Sequence, residues 1–282
     1  MRLVLPAGDG LNATTCDRLL ARLPDDHTPV TGEITVDLQA AEHVDPYGAA
    51  SLCLLARHMA ERQQPLVLVL PSSQRAQTAM NQMDLVHTLR PWAELRNLPI
   101  QTQRGDHRGA LPLSPIRSRS EVQTVLGYLI NLAQDRLSFD PGDVLDASKV
   151  VSELCYNVVD HSQVDGLAVA QLARDRQGKR YVALAVVDAG IGIRASLARR
   201  YPEAAQWRYG DAIQRALGGL SSRETGGGVG LRSITAVVRR YGGRLTIRSG
   251  AARVHFSADH QPRTLDAAWF PGTQVGISFS QR

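Results

Sequence analysis

The sequence predicts an α/β protein built from two successive α/β units, and two observations carry the prediction. Through the first hundred residues short β-type runs alternate with helical ones. After a proline-bearing stretch the pattern becomes helices with a mostly antiparallel set of strands, as in a two-layer sandwich. The chain has 282 residues, is 43% hydrophobic and 21% charged, and so has the composition of a globular protein rather than a disordered or fibrous one.

In the first unit, residues 34–38 (ITVDL) form a strand, and residues 47–63 carry Leu52, Leu54, Leu55 and Met59 at helical spacing. Residues 66–70 (LVLVL) read as a buried strand, and residues 74–83 as a helix with Ser72 or Ser73 as its cap. Residues 99–120 (PIQTQRGDHRGALPLSPIRSRS) hold three prolines and no apolar period, which marks a connection. The expected organisation is a first domain over 1–100, a linker over 101–118 and a second domain over 119–282.

In the second unit, residues 121–136 place Val122, Val125, Leu126, Leu129, Ile130 and Leu132 in an apolar helical stripe. Residues 144–161 form a second amphipathic helix. Residues 167–173 and 181–187 are strands joined by a turn around Gln177 and Gly178. Residues 230–241 form a third helix, and residues 245–249, 253–257 and 274–280 alternate as strands.

Composition excludes several classes. Aromatic residues make up 5% of the chain, too few for base-stacking platforms. A net charge of +5 spread over this length, carried almost wholly by arginine, argues against a nucleic-acid partner. The longest apolar runs are far too short to span a bilayer, so no membrane partner is expected. Cys16, Cys53 and Cys155 have neither metal-ligand spacing nor an even count. They read as buried free thiols in a reducing, cytoplasmic compartment.

Four segments of the second unit bear on chemistry. In the first, Glu153, Asn157 and His161 are spaced four apart and share one helix face. Such a stripe is either solvated surface or, with a carboxylate and a carboxamide oxygen together, a place for a hydrated Mg²⁺. In the second, an apolar strand ends in Asp188, Gly190 and Gly192. It is a turn, or a carboxylate that accepts a hydrogen bond from a nucleobase amino group while the glycines let the backbone pass close to the base. In the third, Gly226, Gly227, Gly228 and Gly230 precede a helix. They are a flexible loop, or a row of backbone N–H groups aimed at phosphate oxygens. The lysine and hydroxyl of a P-loop are missing, which excludes that ATPase class. The fourth, Gly272 and Thr273 before the last strand, says little alone.

In this order and spacing the four segments resemble the GHKL ATPase superfamily of gyrase, Hsp90, histidine kinase and MutL relatives, over roughly residues 121 to 280. The resemblance implies the nucleotide-binding (Bergerat) sandwich, with ATP and Mg²⁺ as cofactors. It implies that Asn157 binds the metal, that Glu153 is the catalytic base or orients the attacking group, and that Asp188 reads adenine. Gly190 and Gly192 lie beside the base, Gly226, Gly228 and Gly230 are lid glycines, and Thr273 supports the adenine contact. The helix before the domain has no histidine to accept a phosphoryl group, and no transducer domain that would supply a lysine is expected. The pattern Ser-Glu-x-x-x-Asn-x-x-x-His is most similar to the anti-sigma-factor serine kinases. His161 fits that pattern, or is a packing histidine at the helix end. Such modules often form homodimers.

The first unit resembles a STAS domain, the fold of anti-sigma-factor antagonists, over roughly residues 1 to 93. The resemblance rests on Val36-Asp37-Leu38, then Val44-Asp45-Pro46-Tyr47-Gly48, a helix and the strand at 66–70. Antagonists carry a phosphorylatable Ser or Thr just before that glycine; here Tyr47 stands there. This implies a docking unit for a protein partner, one not switched at that position; fused to the second unit, it is expected to dock there in cis or on another subunit and to shape access to the nucleotide site. The expected function is an ATP-binding regulator acting as an Mg-ATP-dependent ATPase or Ser/Thr protein kinase, or else a non-catalytic, nucleotide-gated interaction switch.

Overall fold

The computed structural model describes residues 1–24, 32–98, 107, 109–137, 140–174, 177–222, 230–258 and 260–280. The first sheet contains β1 (Arg2–Val4), β2 (Ile34–Asp37), β3 (Leu66–Val69) and β4 (Glu94–Arg96), parallel throughout and in that order. Parallel neighbours need crossovers. These are α1 (Ala13–Leu20), α2 (Pro46–Glu61), and α3 (Gln74–Gln82) followed by α4 (Leu85–Leu89). Asn12 caps α1 by accepting from the N–H groups of Thr14 and Thr15. Asp45 caps α2 by accepting from the Gly48 N–H at 2.7 Å, and Pro46 opens the helix where its missing N–H costs nothing. Ser73 does precede α3, but its side chain makes no capping hydrogen bond.

The second sheet has five strands in the order β5-β6-β7-β9-β8, every pair antiparallel. They are β5 (Ala110–Ile116), β6 (Gly166–Arg174), β7 (Arg180–Asp188), β8 (Arg244–Ser257) and β9 (His260–Ser280). The expected linker over 101–118 is therefore corrected. Ala110 to Ile116 pair with β6, and Pro112 and Pro115 are tolerated because β5 is an edge strand with an irregular register between Leu111 and Ser114. Residues 101–106 and 108 lie outside the described residues. The two short strands expected at 245–249 and 253–257 are one strand. Its kink is Gly250, at φ +59°, where a side chain would collide with the Tyr209 ring at 2.2 Å.

Helices α5 (Arg119–Leu137), α6 (Pro141–Asn157), α8 (Tyr209–Leu217) and α9 (Gly230–Arg240) cover one face of this sheet, over Val182, Leu184, Val186, Val275, Ile277 and Phe279. The other face is not left to solvent. Val169, Ala185, Val187 and Phe270 belong to the same buried core as α2 and the first sheet. This explains the continuous apolar run of β7: alternate side chains go to opposite faces, and both are buried. No helix among the described residues is long and apolar enough to cross a membrane. Cys16, Cys53 and Cys155 are buried free thiols.

Candidate nucleotide site

Helix α6 starts earlier than its apolar pattern predicts, at Pro141, because Asp140 caps it by accepting from the Asp143 N–H at 2.8 Å. After Asn157 it widens into a π-helical turn, Val158–Ser162. The helix and this turn carry Glu153, Asn157 and His161 along one wall of a cleft, with Glu153 buried and the other two half-buried. Widened turns of this kind recur at functional sites.

The end of β7 supplies the floor. Asp188 is buried, at 5% exposure, where β7 meets β9 opposite Thr273. Its carboxylate accepts from the Gly190 N–H at 2.8 Å and from the Thr273 backbone N–H. Burial pushes the carboxyl up to about 6, and these two N–H groups pull it back down. Above that value it is an anionic acceptor lodged between apolar walls.

The cleft holds about 870 Å³ of empty space, its open mouth included. Glu153, Asn157, Asp188, Gly192, Gly230 and Thr273 all line it. Apolar side chains complete it, among them Leu154, Val158, Ile193, Leu197, Ile247 and Val275. A flat heteroaromatic ring fits such a lining, with few polar groups to fix its orientation. Gly230 opens α9 at φ +62°, a conformation that favours glycine. The expected lid glycines Gly226 and Gly228 lie outside the described residues.

Gly190 does not line the cleft. A side chain there would meet the Ser162 carbonyl oxygen at 2.0 Å, so this glycine lets the loop after β7 pack against the π-helical turn. Gly192 lies at φ +75°, with Ser249 Oγ 2.8 Å from where a Cβ would stand. Ser249, which the sequence motifs do not single out, joins three pieces. Its hydroxyl accepts from the Ile193 N–H at 2.9 Å, at the start of α7 (Gly192–Ala198), and donates to the Gly272 carbonyl at 3.0 Å.

Among the described residues no group of three or more His, Cys, Asp or Glu is arranged to hold a metal. The donors in the cleft wall fit a different mode. A carboxamide oxygen from Asn157 and a carboxylate from Glu153, one helical turn apart, suit a Mg²⁺ that keeps most of its waters and arrives with phosphates.

Residues 142–264 match the family described as histidine kinase-, DNA gyrase B-, and HSP90-like ATPase. This segment is a domain of that family. Glu153, Asn157 and Asp188 fall within the matched span of the ATPase domain, whereas β5, α5 and the cleft residue Thr273 lie outside it. A similar solved structure is titled "The crystal structure of SiaB-SiaC complex from Pseudomonas aeruginosa". It is 16% identical, with 62% of this chain covering 92% of that one, at a TM-score of 0.30. No curated protein matches the chain.

Among the described residues, none from the first half of the chain borders the cleft. Every described residue of the lining comes from positions 153 to 275. The first unit docks behind the cleft, with α2 packed on the far face of the sheet. Tyr47 is buried there, with Gly276 of β9 in contact beneath its ring.

Proposed function

We propose that this chain is an ATP-binding regulatory protein that hydrolyses Mg-ATP or passes its terminal phosphoryl group to a serine or threonine of a partner. One observation carries the reading. A single cleft gathers a buried carboxylate on its floor, a carboxylate and a carboxamide on one wall, and a glycine-led helix start. Asp188 would accept a hydrogen bond from the exocyclic amine of adenine, held in orientation by the Gly190 and Thr273 N–H groups. The apolar walls would exclude water from the base.

Asn157 would ligate Mg²⁺ through its carboxamide oxygen, and the N–H groups at the start of α9 would serve the phosphate end. The metal, when bound, neutralises phosphate charge. Glu153 would orient a water or a hydroxyl for in-line attack by accepting its hydrogen bond. The helix wall supplies position and the cleft supplies electrostatics, as phosphoryl transfer requires.

The first half of the chain reads as a STAS-type docking unit for a protein partner. Its parallel sheet and the Asp45-capped helix start support this, as does Tyr47 in the place of a phosphorylatable residue. The test is Glu153→Ala, assayed by calorimetry and phosphate release. Mg-ATP affinity should stay within about twofold while turnover is lost. Undiminished release from the variant removes the role of Glu153. Tight binding with no release or transfer by the unaltered chain would assign the non-catalytic, nucleotide-gated switch instead.

A further inference from the structure

Arg248 of β8 is a buried charge, 1% exposed, on the sheet face opposite the cleft. Its Nε donates to Asp17 Oδ1 at 3.0 Å, one nitrogen donates to the Ala268 carbonyl, and another donates to Gln274 Oε1 at 3.2 Å. Asp17 belongs to α1, in the first half of the chain, and its second oxygen lies 2.9 Å from Arg253. A guanidinium so far from water persists only with its partners in place.

Gln274 carries the contact onward. Its carboxamide Nε2 donates to the Asp188 carbonyl at 3.2 Å and to the Pro271 carbonyl at 2.9 Å. Both carbonyls frame the base-reading corner. Gly272, at φ +77°, leaves only 2.1 Å between a would-be Cβ and the Asp188 carbonyl oxygen, so the two backbone segments touch. Sheet register explains how one face reaches the other. Arg248 pairs with Gln274 and Gln274 with Val187, while the next rung holds Ser249, Thr273 and Asp188. Adjacent residues of a strand point to opposite faces. The rung facing α1 is therefore bolted to the rung that faces the cleft.

We propose that Asp17, Arg248 and Gln274 are positioning residues, a relay through which helix α1 holds the backbone frame of Asp188 and Thr273 in base-reading geometry. The inference rests on the reading of the cleft as an adenine site. On this account the first half acts on nucleotide selection from behind the sheet.

The test uses the full chain and four forms: unaltered, Asp17→Asn, Gln274→Glu and, as control, Arg18→Ala, which removes an exposed pair with Asp9 on the same helix. Gln274→Glu keeps the acceptor that faces Arg248 and loses the donor to the two carbonyls. Two quantities are read: the ratio of GTP to ATP dissociation constants, and hydrogen exchange at the Gly190 and Thr273 amides without nucleotide. Gln274→Glu should lower the ratio about tenfold and Asp17→Asn about fivefold, the size of one or two lost hydrogen bonds, with Arg18→Ala unchanged. In both relay variants the two amides should exchange at least about fivefold faster while amides of α9 keep their rates.

If the unaltered chain binds no nucleotide, the adenine reading falls, and the exchange result alone decides the relay. If it binds ATP and Gln274→Glu changes neither exchange nor the ratio, the relay is overturned and the site stands. Should Asp17→Asn fail to fold, Gln274→Glu decides the relay by itself.

Discussion

Tyr47 of α2 packs on Gly276 of β9, one of the contacts between the two halves of the chain. An alanine at 276 would place its Cβ 2.8 Å from Tyr47 Cδ2. The ring cannot easily yield. It is 5% exposed, and its helix start is fixed by the Asp45 cap and by Gly48, whose own would-be Cβ lies 2.2 Å from the Leu11 carbonyl oxygen. Overpacking of this kind costs about 1–3 kcal/mol. Gly→Ala within a strand offsets about 0.5–1 kcal/mol of that, so the net loss expected for Gly276→Ala is about 0–2.5 kcal/mol. In a Tyr47→Leu background the obstruction is gone, and the same change should become stabilising by about 0.5–1 kcal/mol. The assay is urea unfolding of the unaltered chain, both single variants and the double variant, followed by circular dichroism. A reversal of sign between the two backgrounds is the predicted result. Effects of Gly276→Ala that agree within about 0.5 kcal/mol in both backgrounds would refute the packing of α2 on the sheet.

Further outcomes follow from the geometry. The Tyr47 hydroxyl is buried without a hydrogen-bond partner among the described residues, so Tyr47→Phe should leave stability unchanged or raise it by up to about 1 kcal/mol in the same unfolding assay. Burial raises the Asp188 carboxyl to about 6, and the ionised form is the one that accepts from adenine. ATP affinity should then weaken about tenfold from pH 7 to pH 5 relative to Asp188→Asn, and a parallel profile in the two proteins would contradict the role. Asp188 and the capping Asp45, also raised to about 6, keep their protons longer when folded than when unfolded. Between about pH 4 and 6 their contribution to stability should therefore fall as pH rises, measurable by thermal melts. Gly190→Ala sets a Cβ against the Ser162 carbonyl and should cost about 1–3 kcal/mol in an unfolding titration.

Much of the site was legible because its residues are tied to local pattern. Glu153 and Asn157 fall one helical turn apart, Asp188 closes an apolar strand, and Gly230 opens a helix, so spacing placed each on its element, while the resemblance, not the spacing, drew them into one site. Periodicity also found most helices and the central strands to within a few residues. What escaped depends on pairing across the chain. Residues 110–116 look like a linker because of their prolines, and only the neighbouring β6 makes them a strand. Arg248 and Gln274 belong to no motif, and their burial depends on α1 packing on that face of the sheet. Gly190 was expected beside the base, but the reason the structure gives for it, the Ser162 carbonyl, comes from a π-helical turn with no sequence signature of its own.

The central claim is that a carboxylate at the floor of the cleft selects adenine. Titration calorimetry of Mg-ATP into the full chain and into Asp188→Asn addresses it directly. Saturable one-site binding by the former, lost or weakened at least about tenfold in the latter with its circular dichroism spectrum intact, is the predicted result. Equal affinity in both proteins, or no binding of any adenine nucleotide by the folded chain, would contradict it.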